Sequence, residues 1–168
     1  MNLRQLTSND SAWVHTLIKP IYTSELPEES VKQSLKDTDF GLSVGDPAIP
    51  IYVRLKYYEI VPQQASLSPI PTGYCTQIID LYPIVPATQP AKFLATVVIP
   101  TLAEGLYQMG RAYPEVVDRP VWAFLDKDLS AQLKIAFFPN AKVSNEYIWH
   151  ETLKGAASAI AKWRPGGS

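Results

Sequence analysis

Fifteen prolines against eight glycines constrain this chain of 168 residues more than any other feature. They stand at positions 20, 27, 47, 50, 62, 69, 71, 83, 86, 90, 100, 114, 120, 139 and 165. Proline has no backbone N–H and holds φ at about −65°, so central strands and helix interiors exclude it. Dispersed rather than gathered into a tract, these prolines cut the chain into many short elements joined by restricted loops.

The apolar pattern between the prolines indicates what those elements are. "NLRQLT" alternates apolar and polar residues, as a short first strand does. "SNDSAWVHTLIKPIY" opens a helix: Ser8, Asn9 and Asp10 are all good N-caps, and Trp13, Leu17 and Ile21 or Tyr22 recur at near-helical spacing until Pro20 ends or kinks it. "LPEESVKQSLKD" starts a second helix, with Pro27 and two acids near its first turn and Val31 and Leu35 on its buried side. "FGLSVGDPAIPIYVRLKYYEIVP" reads as a strand, a Gly-Asp-Pro turn and a strong strand from Ile51 to Val61. The polar loop "QQASLSPIPT" leads to another strand in "GYCTQIIDLYPIV", which predicts an antiparallel hairpin or meander.

The longest helical candidate is "AKFLATVVIPTLAEGLYQMGRAY". Its apolar face carries Phe93, Val97, Leu102 and Leu106, and Pro100 predicts a kink. "RPVWAFLD" is nearly all apolar, the pattern of a central strand buried on both faces. "LSAQLKIAFFP" then reads as a helix, "AKVSNEYIWHETL" as a strand and "KGAASAIAKW" as a weak, Ala-rich helix. The order is β-α-α-β-β-β-α-β-α-β with a C-terminal helical tail. It predicts a mixed α/β (α+β) domain over 1–150, with a central, mostly antiparallel sheet and helices on both faces, followed by a tail over 151–168.

A hydrophobic content of 46% and a charged content of 18% describe a globular domain, and a formal net charge of −1 supplies no global field toward nucleic acid or an anionic membrane. The single cysteine, Cys75, can form no intrachain disulfide and is expected to act as a small buried hydrophobe. No segment approaches a membrane span, and "MNLRQLTSND" lacks the apolar core of a signal peptide, so a soluble intracellular protein is expected. His15 and His150 lie far apart, and no cluster of Cys, His or acids has metal-ligand spacing. No G-x-S-x-G elbow occurs.

In "YVRLKYY", Arg54 and Lys56 share one strand face with Tyr52 and Tyr58, while Val53, Leu55 and Tyr57 share the other. An amphipathic strand with an exposed basic face is expected there, rather than a stacking platform for single-stranded nucleic acid. The tryptophans are expected to anchor cores or interfaces. Trp163 ends a tail helix too Ala-rich to be stable alone, so it is expected to dock on the body or on a protein partner.

Two stretches, together with the element order over residues 1–150, resemble the GCN5-related N-acetyltransferase (GNAT) family. "DLYPIVP", Asp80 to Pro86, looks like the family's fourth strand before its acyl-CoA pyrophosphate loop. "VWAFLDKDLSAQLKIAFF", Val121 to Phe138, looks like the fifth strand and the helix after it. The resemblance implies Asp80 as a general base and Val85, Gln89, Ala91 and Lys92 as contacts to acetyl-CoA, should that cofactor bind.

The family's pyrophosphate cradle is Arg or Gln, two residues, Gly, one residue, then Gly or Ala. Bare glycine backbone lets the cradle approach the pyrophosphate, and a helix N-terminus supplies N–H donors. Here the frame from Gln89 reads Gln-Pro-Ala-Lys-Phe-Leu, with Lys92 and Leu94 at the two Gly positions and Pro90 removing a donor. Lys92 attracts a phosphate as a point charge but does not restore backbone access. The family's acid, a Tyr in the helix after strand five, is matched by Ile135, or by Lys134 if the frame slips by one. Tyr113 and Tyr147 are the substitutes considered for it. The expectation is a degenerate acetyltransferase fold with no cofactor and a structural, protein-binding role. In size range and element order it is similar to internal virion proteins of tailed bacteriophages, with Trp163 and the tail as the candidate contact. The alternative is an active N-acetyltransferase that carries acetyl from acetyl-CoA to an amine.

Overall fold

Period-two alternation is strongest in the two longest strands, and the sheet is built around them. The computed structural model describes residues 4–19, 25–36, 41–46, 51–62, 69–82, 99–124, 142–144 and 147–162. The strands are β1 (Arg4–Gln5), β2 (Gly41–Asp46), β3 (Ile51–Ile60), β4 (Gly73–Tyr82), β5 (Val121–Phe124), β6 (Lys142–Ser144) and β7 (Tyr147–His150). The helices are α1 (Ser11–Ile18), α2 (Glu28–Lys36), α3 (Ile99–Ala112) and α4 (Leu153–Ala161), with 3₁₀ turns at Ser8–Asp10 and Pro114–Val116. The strands form one sheet in the order β1-β2-β3-β4-β5-β7-β6. Each neighbouring pair is antiparallel except β4 and β5, which run parallel. The mixed α+β class, the mostly antiparallel sheet and the helices on both faces are as the sequence predicts.

Alternation along β3 separates the two faces. Val53 and Leu55 join α3 and α4 in the main core, with Leu42, Ile78, Val121, Ala123 and Ile148 from neighbouring strands. Tyr52 points the other way, into a second core with Leu6, Val14, Ile18, Val31 and Leu35 beneath α1 and α2. Gly105 lets α3 lie close on the sheet, because a Cβ there would stand 3.2 Å from the Leu55 side chain. The expected exposed basic face of β3 is only partly exposed. Arg54 and Lys56 are half-buried, and the Lys56 ammonium lies 5.3 Å from the Tyr58 ring centroid.

Three local expectations change. The buried face of α1 is Val14 and Ile18 rather than Trp13 and Leu17, which flank it half-buried. The run expected as one strand near the C-terminal end is two, β6 and β7, paired antiparallel with Ser144 opposite Tyr147. The polar pair 145–146 separates the apolar residues of the two strands, and the sheet gains an edge strand. The Ala-rich helix α4 buries Leu153, Ala156 and Ile160 in the main core, so tertiary packing supplies the stability that a helix of nine residues lacks alone. The Phe93 and Val97 portion of the long helical candidate, the expected helix in 129–139 and Trp163 lie outside the described residues.

A four-pronged cap sits at the edge of the second core. The Asp10 carboxylate accepts from both Arg4 guanidinium nitrogens, from the Thr7 backbone N–H at 2.8 Å and from the Trp13 indole N–H at 2.9 Å. The Thr7 side chain accepts in turn from the backbone, completing a capping box that leads into α1. The Arg4 hydrogen bond, helped by Thr7 and Trp13, holds the Asp10 carboxyl well below the usual carboxylate range despite its burial.

The β4–β5 seam is short and reinforced from its flank. Its register holds two pairs, Thr76 with Val121 and Gln77 with Trp122. The Thr76 N–H also donates to the Pro120 carbonyl at 3.0 Å. Arg119 reaches across to donate to the carbonyls of Tyr74 (2.8 Å) and Thr72 (2.6 Å). Gly73, at φ +115°, passes beneath that guanidinium, where a Cβ would come within 2.8 Å of it. The backbone of α4 is tied to the same corner by Leu153 N–H to Arg119 O and Lys154 N–H to Val117 O. The Thr76 hydroxyl, fully buried in this seam, has no hydrogen-bond partner among the described residues.

Three measurements follow from these contacts. Arg119→Ala is expected to lower stability by about 1–2 kcal/mol in urea melts, since it removes two charge-assisted bonds at a partly exposed site. Asp10→Asn is expected to cost about 2 kcal/mol at neutral pH. Because the folded carboxyl lies below its ordinary 3.8, the Asp10 contribution is present above that value and disappears as pH falls through and below it. The wild type and Asp10→Asn should therefore converge in stability in acid. Thr76→Val is expected to hold or raise the melting temperature, because it removes an orphaned buried hydroxyl. A clear drop would show that the hydroxyl is paired.

Candidate functional site

The sheet opens just past the seam. Beyond Gln77 and Trp122, no further β4–β5 pairs are recorded among the described residues, although β4 continues to Tyr82 and β5 to Phe124. On its other side β4 stays paired with β3 as far as Tyr82 opposite Tyr52. A register shift between Arg54 and Leu55 leaves Ile79 as an extra residue in β4, because Leu55 faces Ile78 and Arg54 faces Asp80. A bulge bends its strand and increases local twist. Here it coincides with the point where β4 has left β5. A gap between parting strands presents backbone N–H and C=O groups to which an extended ligand can be matched.

An aromatic wall borders the β5 side of this opening. Trp122 is packed edge-on against Phe124 at 5.0 Å and lies 5.5 Å from Tyr147, and Phe124 and Tyr147 are 5.2 Å apart. Tyr58 adds an edge contact to Trp122 at 6.0 Å. Phe124 is 44% exposed, so the wall reaches solvent at the strand exit. The sequence contains the signal for this cluster, since Trp122 and Phe124 alternate on β5 and Tyr147 and Trp149 alternate on β7. Only the pairing of β5 with β7 brings the two sets together. Cys75 lies beneath them and accepts from the Trp122 indole N–H at 3.2 Å. Burial pushes its thiol up to about 11, only partly opposed by that hydrogen bond, so Cys75 stays a thiol and serves as core.

Of the predicted site residues, Asp80 lies in β4 at the edge of the opening, with Arg54 as its register partner in β3. A carboxylate recruited as a base gains from apolar neighbours, and a cation at the facing position works in the opposite direction. Val85, Gln89, Ala91 and Lys92 lie outside the described residues, as do Lys134 and Ile135. The two tyrosines considered as acids are on opposite faces of the sheet. Tyr113 stacks on Tyr57 at 4.4 Å, on the α3 side, whereas Tyr147 stands in the aromatic wall opposite Phe124. Tyr57 itself is held protonated far above the usual phenol range by burial and by Glu115.

The histidines serve separate purposes. His15 Nε2 lies 2.6 Å from the Leu26 carbonyl and ties α1 to the approach of α2. Burial lowers the pKa of His150 at the end of β7. Among the described residues no group of three or more Cys, His, Asp or Glu is arranged to hold a metal ion. Among them also, no helix is long and apolar enough to cross a membrane.

No family model matches the chain, and no curated protein does at a significant level. Solved structures do. Arabidopsis thaliana NAA60, determined in complex with a bisubstrate analogue, matches with a TM-score of 0.50 at 13% identity, over 88% of this chain and 95% of that one. A tetramutant of the BH1408 protein from Bacillus halodurans matches with a TM-score of 0.49 at 16% identity, over 80% of this chain and 88% of that one. At such identities the likeness speaks for the fold alone. The chain has a GNAT-like fold, a mixed α+β sheet of seven strands that opens between its parallel pair.

Proposed function

We propose that this protein uses its GNAT-like fold as a non-enzymatic, protein-binding scaffold. The observation that carries this reading is the segment after β4, where Pro90, Lys92 and Leu94 stand in place of bare backbone and free N–H donors. A pyrophosphate needs close approach to main-chain donors, and side chains at both glycine positions deny it. Arg54 opposite Asp80 supports the same reading, because it works against the one candidate base. A component of a tailed-bacteriophage particle is its specific form, on the similarity to internal virion proteins in size and element order. The partner would then be another protein of the particle, with the tail residues around Trp163 as the contact.

One observation favours the rival reading, an N-acetyltransferase that uses acetyl-CoA. The opening between β4 and β5 would admit an extended cofactor arm, and Tyr147 stands at its border. Val85, Gln89, Ala91 and Lys92 would then hold the cofactor, with Asp80 as base. Isothermal titration with acetyl-CoA separates the two readings. No saturable heat is expected from the wild-type protein. Micromolar binding that weakens on Lys92→Ala or Gln89→Ala would overturn the scaffold reading.

A further inference from the structure

A cavity of about 190 Å³ opens between α1, α2 and β3, on the sheet face opposite the main core. Its inner walls are apolar: Ile18 and Val31 are almost fully buried, Leu26 is half-buried, and the Tyr52 ring closes the base. The outer part is polar, formed by the exposed Ser30, the half-buried Ser34 and the half-buried guanidinium of Arg54. Among the described residues, Arg54 is the one charged member of the lining. Among the described residues it has no ion-pair partner, whereas Arg4 and Lys142 are paired with Asp10 and Glu151.

We propose that this cavity binds a small monocarboxylate with a short branched apolar body. A guanidinium meets a carboxylate with two parallel N–H···O bonds, and serine hydroxyls donate to remaining lone pairs. The single positive charge balances one negative charge, which fits a carboxylate better than a phosphate dianion. The apolar inner walls take the hydrocarbon end, as in small-ligand sites where a few polar groups fix the orientation of an apolar body. The volume suits a group of side-chain size. This inference is argued from the described lining residues alone and makes no use of the cofactor question.

The competing carboxylate is internal, because Asp80 holds the register position opposite Arg54. The test accordingly uses three probes and three variants, read by ¹H–¹⁵N NMR titration with thermal melts as a check on folding. For the wild type, 4-methylpentanoate is expected to give saturable shifts at Ser30, Ser34 and Arg54, with the neutral 4-methylpentanamide and inorganic phosphate each at least about tenfold weaker. Arg54→Met is expected to weaken carboxylate binding by about tenfold or more with the fold intact. Ser34→Leu, which fills the cavity and leaves the charge in place, is expected to abolish it. The proposal is overturned if acid and amide bind equally, if phosphate binds more tightly, or if a folded Arg54→Met or Ser34→Leu binds as the wild type does. It is overturned equally if binding appears only in Asp80→Asn, which would make Asp80 the occupant. Acetyl-CoA titration of the same samples reports on the scaffold reading separately.

Discussion

Two register pairs hold the two halves of this molecule together. The four strands from β1 to β4 form one antiparallel run, and β5, β7 and β6 form another. Among the described residues, only Thr76–Val121 and Gln77–Trp122 join them as a ladder. Such a contact is too short to align two sheets unaided, and the rest of the fold compensates for it. Arg119 fastens β4 to the approach of β5, and Gly73, at φ +115°, puts no Cβ against the guanidinium. Leu102, Leu106 and Met109 from α3, with Leu153, Ala156 and Ile160 from α4, press on both halves from one face. The parting of the strands beyond the seam is then a defined opening, bounded by the bulge at Ile79 and the aromatic wall.

That opening is a property of the fold, and chemistry needs more. A ligand matched to strand backbone also needs charge complementarity where its phosphates lie and a poised proton acceptor where it reacts. The residues after β4 offer side chains where phosphates call for bare amides, and β3 presents an arginine to the position of the only candidate base. Polar groups also converge in the cavity under α2. The Arg54 guanidinium and the apolar inner walls are what we propose a small acid would meet there, and that proposal asks nothing of the opening. A scaffold can keep the shape of an acetyltransferase and place its binding on another part of the same face.

The long elements were legible because their patterns are strong. Period two over 51–61 identified β3, the run 73–85 was read as the strand that is β4 as far as Tyr82, and the all-apolar "VWAF" identified β5, buried as far as Ala123. Val31 and Leu35 marked the buried side of α2 correctly. What escaped depends on contacts distant in sequence. Nothing in "AKVSNEYIWHETL" distinguishes one strand from a hairpin until β7 is seen beside β5. Asp10 looked like one of three interchangeable caps. Its special place comes from Arg4, whose guanidinium can only be recognised as its partner once β1 is paired with β2. The aromatic wall was present as an alternation in two separate segments, and Arg54 gained its meaning from the pocket above it and the acid across from it. Local propensity carries no information about which strands become neighbours.

The packing of α4 also has a consequence in time. Synthesis proceeds from the N-terminus, and domains begin to organise as they emerge. The antiparallel run through β4 is complete long before α4 exists, yet the core face of that run needs Leu153, Ala156 and Ile160 to close it. During that interval Val53, Leu55 and Ile78 present an apolar surface to whatever is nearby, with α3 as partial cover. Closure of the main core therefore depends on the described helix that is synthesised last.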